Sequence, residues 1–467
     1  MTHRLTWLPT ALLVSSLLTA NVVRADLVAA QKAYAAQDYP RAFRLFSEIA
    51  EIGNLTGQEN LAAMYVDGQG VKRDNTLGFA WATIARENGG GAPMQNIIDQ
   101  LTPRLSDAAR ARVAEVTGKF GSAALRERLL PTPDREEIKG GGNAPCKMRR
   151  PVDPDAYYPP AAARAGISGS VLVEVTLGAD QHVHRPRVLY SVPENVLDEA
   201  GRAVALMSGY VAPSGPDGAP LPCTMRYKVR FRSPDSTTDA AITRAYENSR
   251  PIAESGDPVA QMVYGLLMFD RERANTREDQ PFTWFLKAAQ AGVPKAQYLV
   301  GVSLLRSDLP STDVRNRKSR AWLDLAANGG DWDAKVLLAE DALNGEEPAP
   351  SQARALAWLD EAATPDHRDG SVLLAAWFAT HPDPARRNPQ RSLDVLAAMP
   401  FVFDADPLPF EIRAAANAQL GNFDAAKSLQ KSAILRARQL GWDTNAQAAR
   451  LTVYERKNAW TGNLMRP

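Results

Sequence analysis

The sequence predicts a multidomain chain in which α-helical solenoid segments flank one small α+β domain. Three observations lead there. Trp284, Trp322 and Trp358 recur at spacings of 38 and 36, and each is followed by an alanine pair: Ala288-Ala289, Ala326-Ala327 and Ala362-Ala363. A period in the high thirties is the signature of stacked helical hairpins. Residues 167–177 alternate strictly, with Ile167, Gly169, Val171, Val173, Val175 and Leu177 on one parity and Ser168, Ser170, Glu174 and Thr176 on the other. The chain has two cysteines, Cys146 and Cys223, and they bracket that stretch.

Composition narrows the function classes. A length of 467 residues predicts about three domains, and 45% apolar residues suffice for packed cores. With 54 basic against 53 acidic residues, the formal charge is +1. The whole chain offers no electrostatic footprint for nucleic acid or anionic lipid.

In chain order, residues 1–25 read as a signal peptide: a short basic start at His3 and Arg4, an apolar core, and small residues before Asp26. The mature protein is then expected in the periplasm, and an uncleaved segment would anchor it to the inner membrane. Residues 26–130 are helical by spacing, with Ala42, Leu45, Phe46, Ile49 and Ala50 on one face. Leu61, Tyr65, Gly68, Gly70, Asp74 and Trp81 follow. This pattern resembles the Sel-one-like repeat, a helical-hairpin relative of the tetratricopeptide repeat. The two glycines supply a sharp turn between antiparallel helices. They are not a phosphate loop, because no strand precedes them. Residues 131–145, rich in Pro and Gly, read as a linker.

Residues 146–233 form the small domain. After the alternating strand comes the turn Gly178-Ala179-Asp180 and a second extended run to Ser191. Pro186 within that run argues for a bulge or an edge, since it cannot donate to a ladder. Ser191 and Glu194 have capping-box spacing. Val196, Leu197, Ala200, Ala203, Val204 and Met207 then share a helix face. The last strand carries Met225, Tyr227, Val229 and Phe231 on one side and Arg226, Lys228, Arg230 and Arg232 on the other. The basic side reads as a solvated face that resists aggregation.

The order strand–strand–helix–strand resembles the C-terminal domain of TonB-type energy transducers. The resemblance rests on Tyr158-Pro159, Ala165-Gly166-Ile167, Gly169, Val171 and Val173, then Leu197-Asp198, Ala200, Tyr210, Pro213 and Asp217-Gly218 with Pro220. The chain departs from the transducers at Met207-Ser208-Gly209-Tyr210, where basic and aromatic residues are usual, and at Gln181-His182, where they have glycine. The transducers' long Pro-rich spacer has no counterpart here. The resemblance implies a strand edge that takes a partner strand, with Met225, Tyr227, Val229 and Phe231 marking that edge.

Residues 238–467 return to helical repeats. Ala260, Ala296 and Ala334 are spaced by 36 and 38, and Leu393 with Ala397-Ala398 marks a further copy. Ala414, Ala418, Gly421, Phe423 and Ala426 look like a tetratricopeptide-like pair, and residues 446–458 would cap the array.

Catalytic motifs are sparse. No zinc-protease motif, Walker loop or placeable carboxylate pair occurs. His182 and His184 share a strand face, but no third metal ligand is evident nearby, so they read as turn and surface residues. In an exported protein Cys146 and Cys223 read as a disulfide, with two free thiols or a redox pair as the alternatives. A bond would close a loop of about 78 residues and contribute roughly 4 kcal/mol. The expectation is a non-catalytic periplasmic scaffold without cofactor, metal, nucleic acid or small-molecule substrate. Its partner would be a protein or peptide of the cell envelope, an outer-membrane receptor in the sharper version. The alternatives are an anchored energy transducer and a regulator of an envelope or peptidoglycan enzyme.

Overall fold

The stretches with helical spacing fold as helices, though the helix of the small domain starts at Asp198, after Val196 and Leu197, and the alternating stretches fold as strands. The computed structural model describes residues 27–129, 146–178, 182–215, 217–221, 223–232, 237–271, 280–305, 313–344, 349–364, 367–399 and 405–464. The leader expected at 1–25 and the linker expected at 131–145 lie outside the described residues. Among the described residues no helix is long and apolar enough to cross a membrane.

The first array comprises α1 (Leu27–Ala35), α2 (Tyr39–Ala50), α3 (Leu55–Asp67), α4 (Asn75–Glu87), α5 (Ala92–Leu101), α6 (Asp107–Phe120) and α7 (Ser122–Arg128). Side-chain caps set its registers. Asn54 accepts from Gly57 N–H, and Asp74 accepts from Thr76 and Leu77. Gly70 has φ +69°, and a Cβ there would sit 2.1 Å from the Tyr39 carbonyl. Only glycine suits that turn. Tyr65 meets Phe43 edge-on and Trp81 stacks on Phe120.

The middle domain holds β1 (Lys147–Arg150), α8 (Pro160–Arg164), β2 (Gly169–Leu177), β3 (Val183–Val192), α9 (Asp198–Met207), β4 (Gly209–Val211) and β5 (Cys223–Phe231). β2 is central in an antiparallel sheet of order β3-β2-β5, and β1 pairs with β4. Val171 faces Val229 and Val173 faces Tyr227 across β2 and β5. Pro186 sits where β3 slips register against β2, between Arg187 and His184, and on an edge strand, as its missing donor requires. The expected capping box does not form. Ser191 ends inside β3, the helix starts at Asp198, and the Ser191 hydroxyl donates to the Asp198 carboxylate at 2.5 Å.

The second array runs through α10 (Thr237–Glu254), α11 (Pro258–Arg271), α12 (Pro281–Gln290), α13 (Pro294–Leu304), α14 (Asp313–Gly329) and α15 (Trp332–Asn344). It continues with α16 (Ala349–Ala362), α17 (Arg368–Thr380), α18 (Pro389–Ala397), α19 (Leu408–Gln419), α20 (Phe423–Gln439) and α21 (Asn445–Glu455). Trp322 and the alanine pairs 288–289 and 326–327 are fully buried between hairpins. A further repeat signal is a buried glutamine reaching eight residues back to a carbonyl of the preceding helix. Gln58 bonds Ala50, Gln261 bonds Ala253 and Gln297 bonds Ala289.

The arrays are not separate bodies. Ile52, Leu125 and Leu129 of the first share one core with Leu189 of β3 and with Phe285, Trp322 and Leu323 of the second. Trp322 Nε1 donates to the Leu129 carbonyl at 2.9 Å, and Leu27 N–H donates to the Ala291 carbonyl at 2.9 Å.

Candidate functional site

β5 lies at an edge of the three-stranded sheet. Its side chains Met225, Tyr227, Val229 and Phe231 point into the core beneath α9, with Val229 and Phe231 fully enclosed. Met225 and Tyr227 are partly buried against the same core. Tyr227 and Tyr210 share a hydroxyl contact of 2.6 Å, and burial pushes the Tyr227 phenol up to about 12. At the head of the strand the Cys223 sulfur is bonded to that of Cys146, with Cα atoms 5.6 Å apart, packed against Leu177 and Ala212. Among the described strands β5 pairs with β2 alone.

The other face of the sheet overturns an expectation. The basic side chains of β5 are not a solvated face. Arg226 donates to the Val302 carbonyl, Lys228 Nζ to the Phe269 carbonyl at 3.1 Å, and Arg230 to the Asp270 carbonyl. These acceptors lie in the last turns of α13 and α11, where carbonyls lack helical partners and the helix dipole is negative. Arg226 meets the end of α13, and Lys228 and Arg230 share the end of α11. Beside them Ser170 donates to Asp270 at 2.6 Å, and Tyr190 meets Phe269 edge-on at 4.7 Å.

Ion pairs extend the contact. Glu174 sits between Arg226 and Arg187, at 2.7 and 3.2 Å, and Arg187 continues to Glu340. Burial works against the Arg187 charge, but the two carboxylates outweigh it and hold the guanidinium protonated. Arg202 of α9 meets Asp369, Glu199 meets Arg368 at 3.5 Å, and Lys295 joins Glu194 at 3.0 Å and Asp333 at 2.6 Å. A cavity of about 40 Å³ remains among Arg187, Arg202, Glu340 and Asp369, enough for a water or two. Burial also pushes the Asp198 carboxyl up to about 6.

The solenoid partners named here come from α11, α13, α15 and α17, the second helix of four successive hairpins. One layer of the array is thus taken by the chain's own small domain. Sequence reasoning missed this. The available signal was Leu172, an apolar residue on the polar parity of β2, which packs into the shared core.

The His182 ring stacks on Trp442 at 5.0 Å, and its Nε2 accepts from Asp443 N–H at 3.0 Å. It ties the β2–β3 turn to the C-terminal helices. The His184 side chain is outside the described residues. Among the described residues no group of three or more His, Cys, Asp or Glu could hold a metal ion.

Comparison with known proteins follows this division. The C-terminal domain of the Gram-negative bacterial TonB protein matches residues 154–233. The Sel1 repeat matches residues 33–54, 56–90, 282–293, 294–331 and 332–364. Both are interaction or scaffold domains and not enzymes. Among curated proteins none matches the chain. One similar solved structure is a protective antigen of uropathogenic Escherichia coli strains displaying an SLR fold. It is 15% identical, with 93% of this chain and 84% of that chain covered at a TM-score of 0.31. Another is a Sel1 repeat protein from Oxalobacter formigenes, 18% identical, with 72% and 98% covered at a TM-score of 0.21. Scores this low do not transfer an overall arrangement. The chain carries a TonB C-terminal domain set between Sel1 repeats.

Proposed function

We propose that the protein is an exported envelope scaffold whose TonB-like domain takes an extended segment of an envelope protein as an added strand along β5. The observation that carries this reading is the position of β5. It is an edge strand of the described sheet, while the side chains on one sheet face are spent on the solenoid. Strand addition derives its affinity from main-chain hydrogen bonds, and the buried side chains beneath fix the register. The domains would run over 26–130, 146–233 and 238–467, with 1–25 removed on export. The arrays would hold the domain in one orientation rather than act on the partner.

The test places a photo-crosslinking residue at Thr224, near the start of β5, and captures partners from envelope extracts. Crosslinked peptides should map to one extended segment. Amides of 223–231 should gain hydrogen-exchange protection in the complex. Unchanged exchange along β5 in a crosslinked complex would overturn the reading.

A further inference from the structure

A second site lies at the seam of the two arrays, away from β5. A groove of about 450 Å³ opens between α2, the α12–α13 turn at Gly292 and the end of α14. That volume falls within the range of ligand pockets, roughly 300–1,000 Å³. Leu45, Ile49 and Ile52, all buried, floor one side, and the partly exposed Leu325 forms the other wall. Arg41 and Arg44 stand on its rim, both exposed. They are three residues apart on α2 and so share a face. Neither guanidinium has an ion-pair partner among the described residues, which sets them apart from the paired arginines of the domain contact. Glu48, one turn further along α2, also lines the groove and gives it a negative end.

We propose that this groove binds an acidic peptide segment of a partner protein. The carboxylates would lie over Arg41 and Arg44, and an aliphatic side chain would pack against Leu325. Glu48 repels a carboxylate at its end, so the acidic positions of the segment are drawn towards Arg41 and Arg44. Two guanidiniums spaced along a helix match carboxylates spaced along an extended chain. The field at an exposed rim is screened by salt, so binding weakens as ionic strength rises.

The probe is a fluorescein-labelled peptide, Glu-Leu-Glu-Leu-Asp, followed by anisotropy against the full chain. Arg41→Glu with Arg44→Glu should weaken binding at least tenfold while leaving the melting temperature unchanged, because both residues are exposed. Glu48→Arg should strengthen it several-fold. A peptide with lysine at each acidic position should not bind. Absence of binding, or equal binding to the charge-reversed variant, would overturn the proposal. Equal binding of a short oligonucleotide of matched charge would do the same, by showing only general attraction of anions. The groove and the β5 edge are read out separately, so either can fail alone.

Discussion

Both terminal nitrogens of Arg202 meet the Asp369 carboxylate, each 3.1 Å from an oxygen. This fork joins α9 to the start of α17 across 167 residues of sequence. The Arg202 side chain is 11% exposed and that of Asp369 36%. The two losses are therefore not equivalent.

Asp369→Ala leaves the enclosed Arg202 cation with Glu199 as its remaining close carboxylate, at 3.2 Å. The expected cost is about 2–3 kcal/mol, below the ~3–5 kcal/mol for breaking a fully buried pair because Asp369 is partly solvated. Arg202→Ala leaves a more exposed carboxylate still facing Arg187 and Arg368, and should cost less, about 1–2 kcal/mol. A double-mutant cycle by urea unfolding checks the order. Additive losses would show that the fork does not couple the two elements.

Asp331 gives the stability a pH dependence. The residue is 9% exposed, and its carboxyl accepts from Ala334 N–H at 2.8 Å and is pushed up to about 7 by burial against the pull of Lys295. The unfolded chain loses that proton near pH 4, the folded chain near 7. The stabilisation is thus full below about pH 4 and is lost as pH rises to 7, by up to about 1.4 kcal/mol per unit. Asp331→Asn retains an oxygen for Ala334. The variant should melt higher than the parent at pH 8 and show a flatter profile between pH 4 and 7. Parallel melting curves across that range would contradict the assignment.

Gly201 sets a helix preference against packing. In the middle of α9, alanine would favour the helix by about 1 kcal/mol. A Cβ there would lie 2.7 Å from Val171 Cγ1, in a fully buried part of the sheet. Overpacking of this kind costs about 1–3 kcal/mol, so Gly201→Ala should destabilise on balance. Adding Val171→Ala should recover part of the loss in thermal melts. A higher melting temperature for the single variant would mean that α9 can lift off β2.

The elements were largely legible because their causes are local. Alternation gave β2 and β5, Gly68 and Gly70 gave the first turn, and the tryptophan–alanine period gave the hairpins. The contact between the small domain and the solenoid was not legible. Arg226, Lys228 and Arg230 alternate along β5 in the same way whether they face water or the ends of α11 and α13. What separates the cases is the carbonyl of a residue such as Val302, 76 positions away, and a carbonyl leaves no mark in a sequence. The capping box at Ser191 failed for a related reason. Its spacing was right, but β3 had already claimed the residue.

Four consecutive second helices each grip a different part of one small sheet and its covering helix: α11 at Lys228, α13 at Arg226, α15 at Arg187 and α17 at Arg202. Neighbouring helices sit about 8–10 Å apart. Duplication or loss of one hairpin would carry the later grips out of reach of their arginines. Solenoids ordinarily lengthen and shorten freely, but here the count of hairpins is locked to the span of a three-stranded sheet and its covering helix.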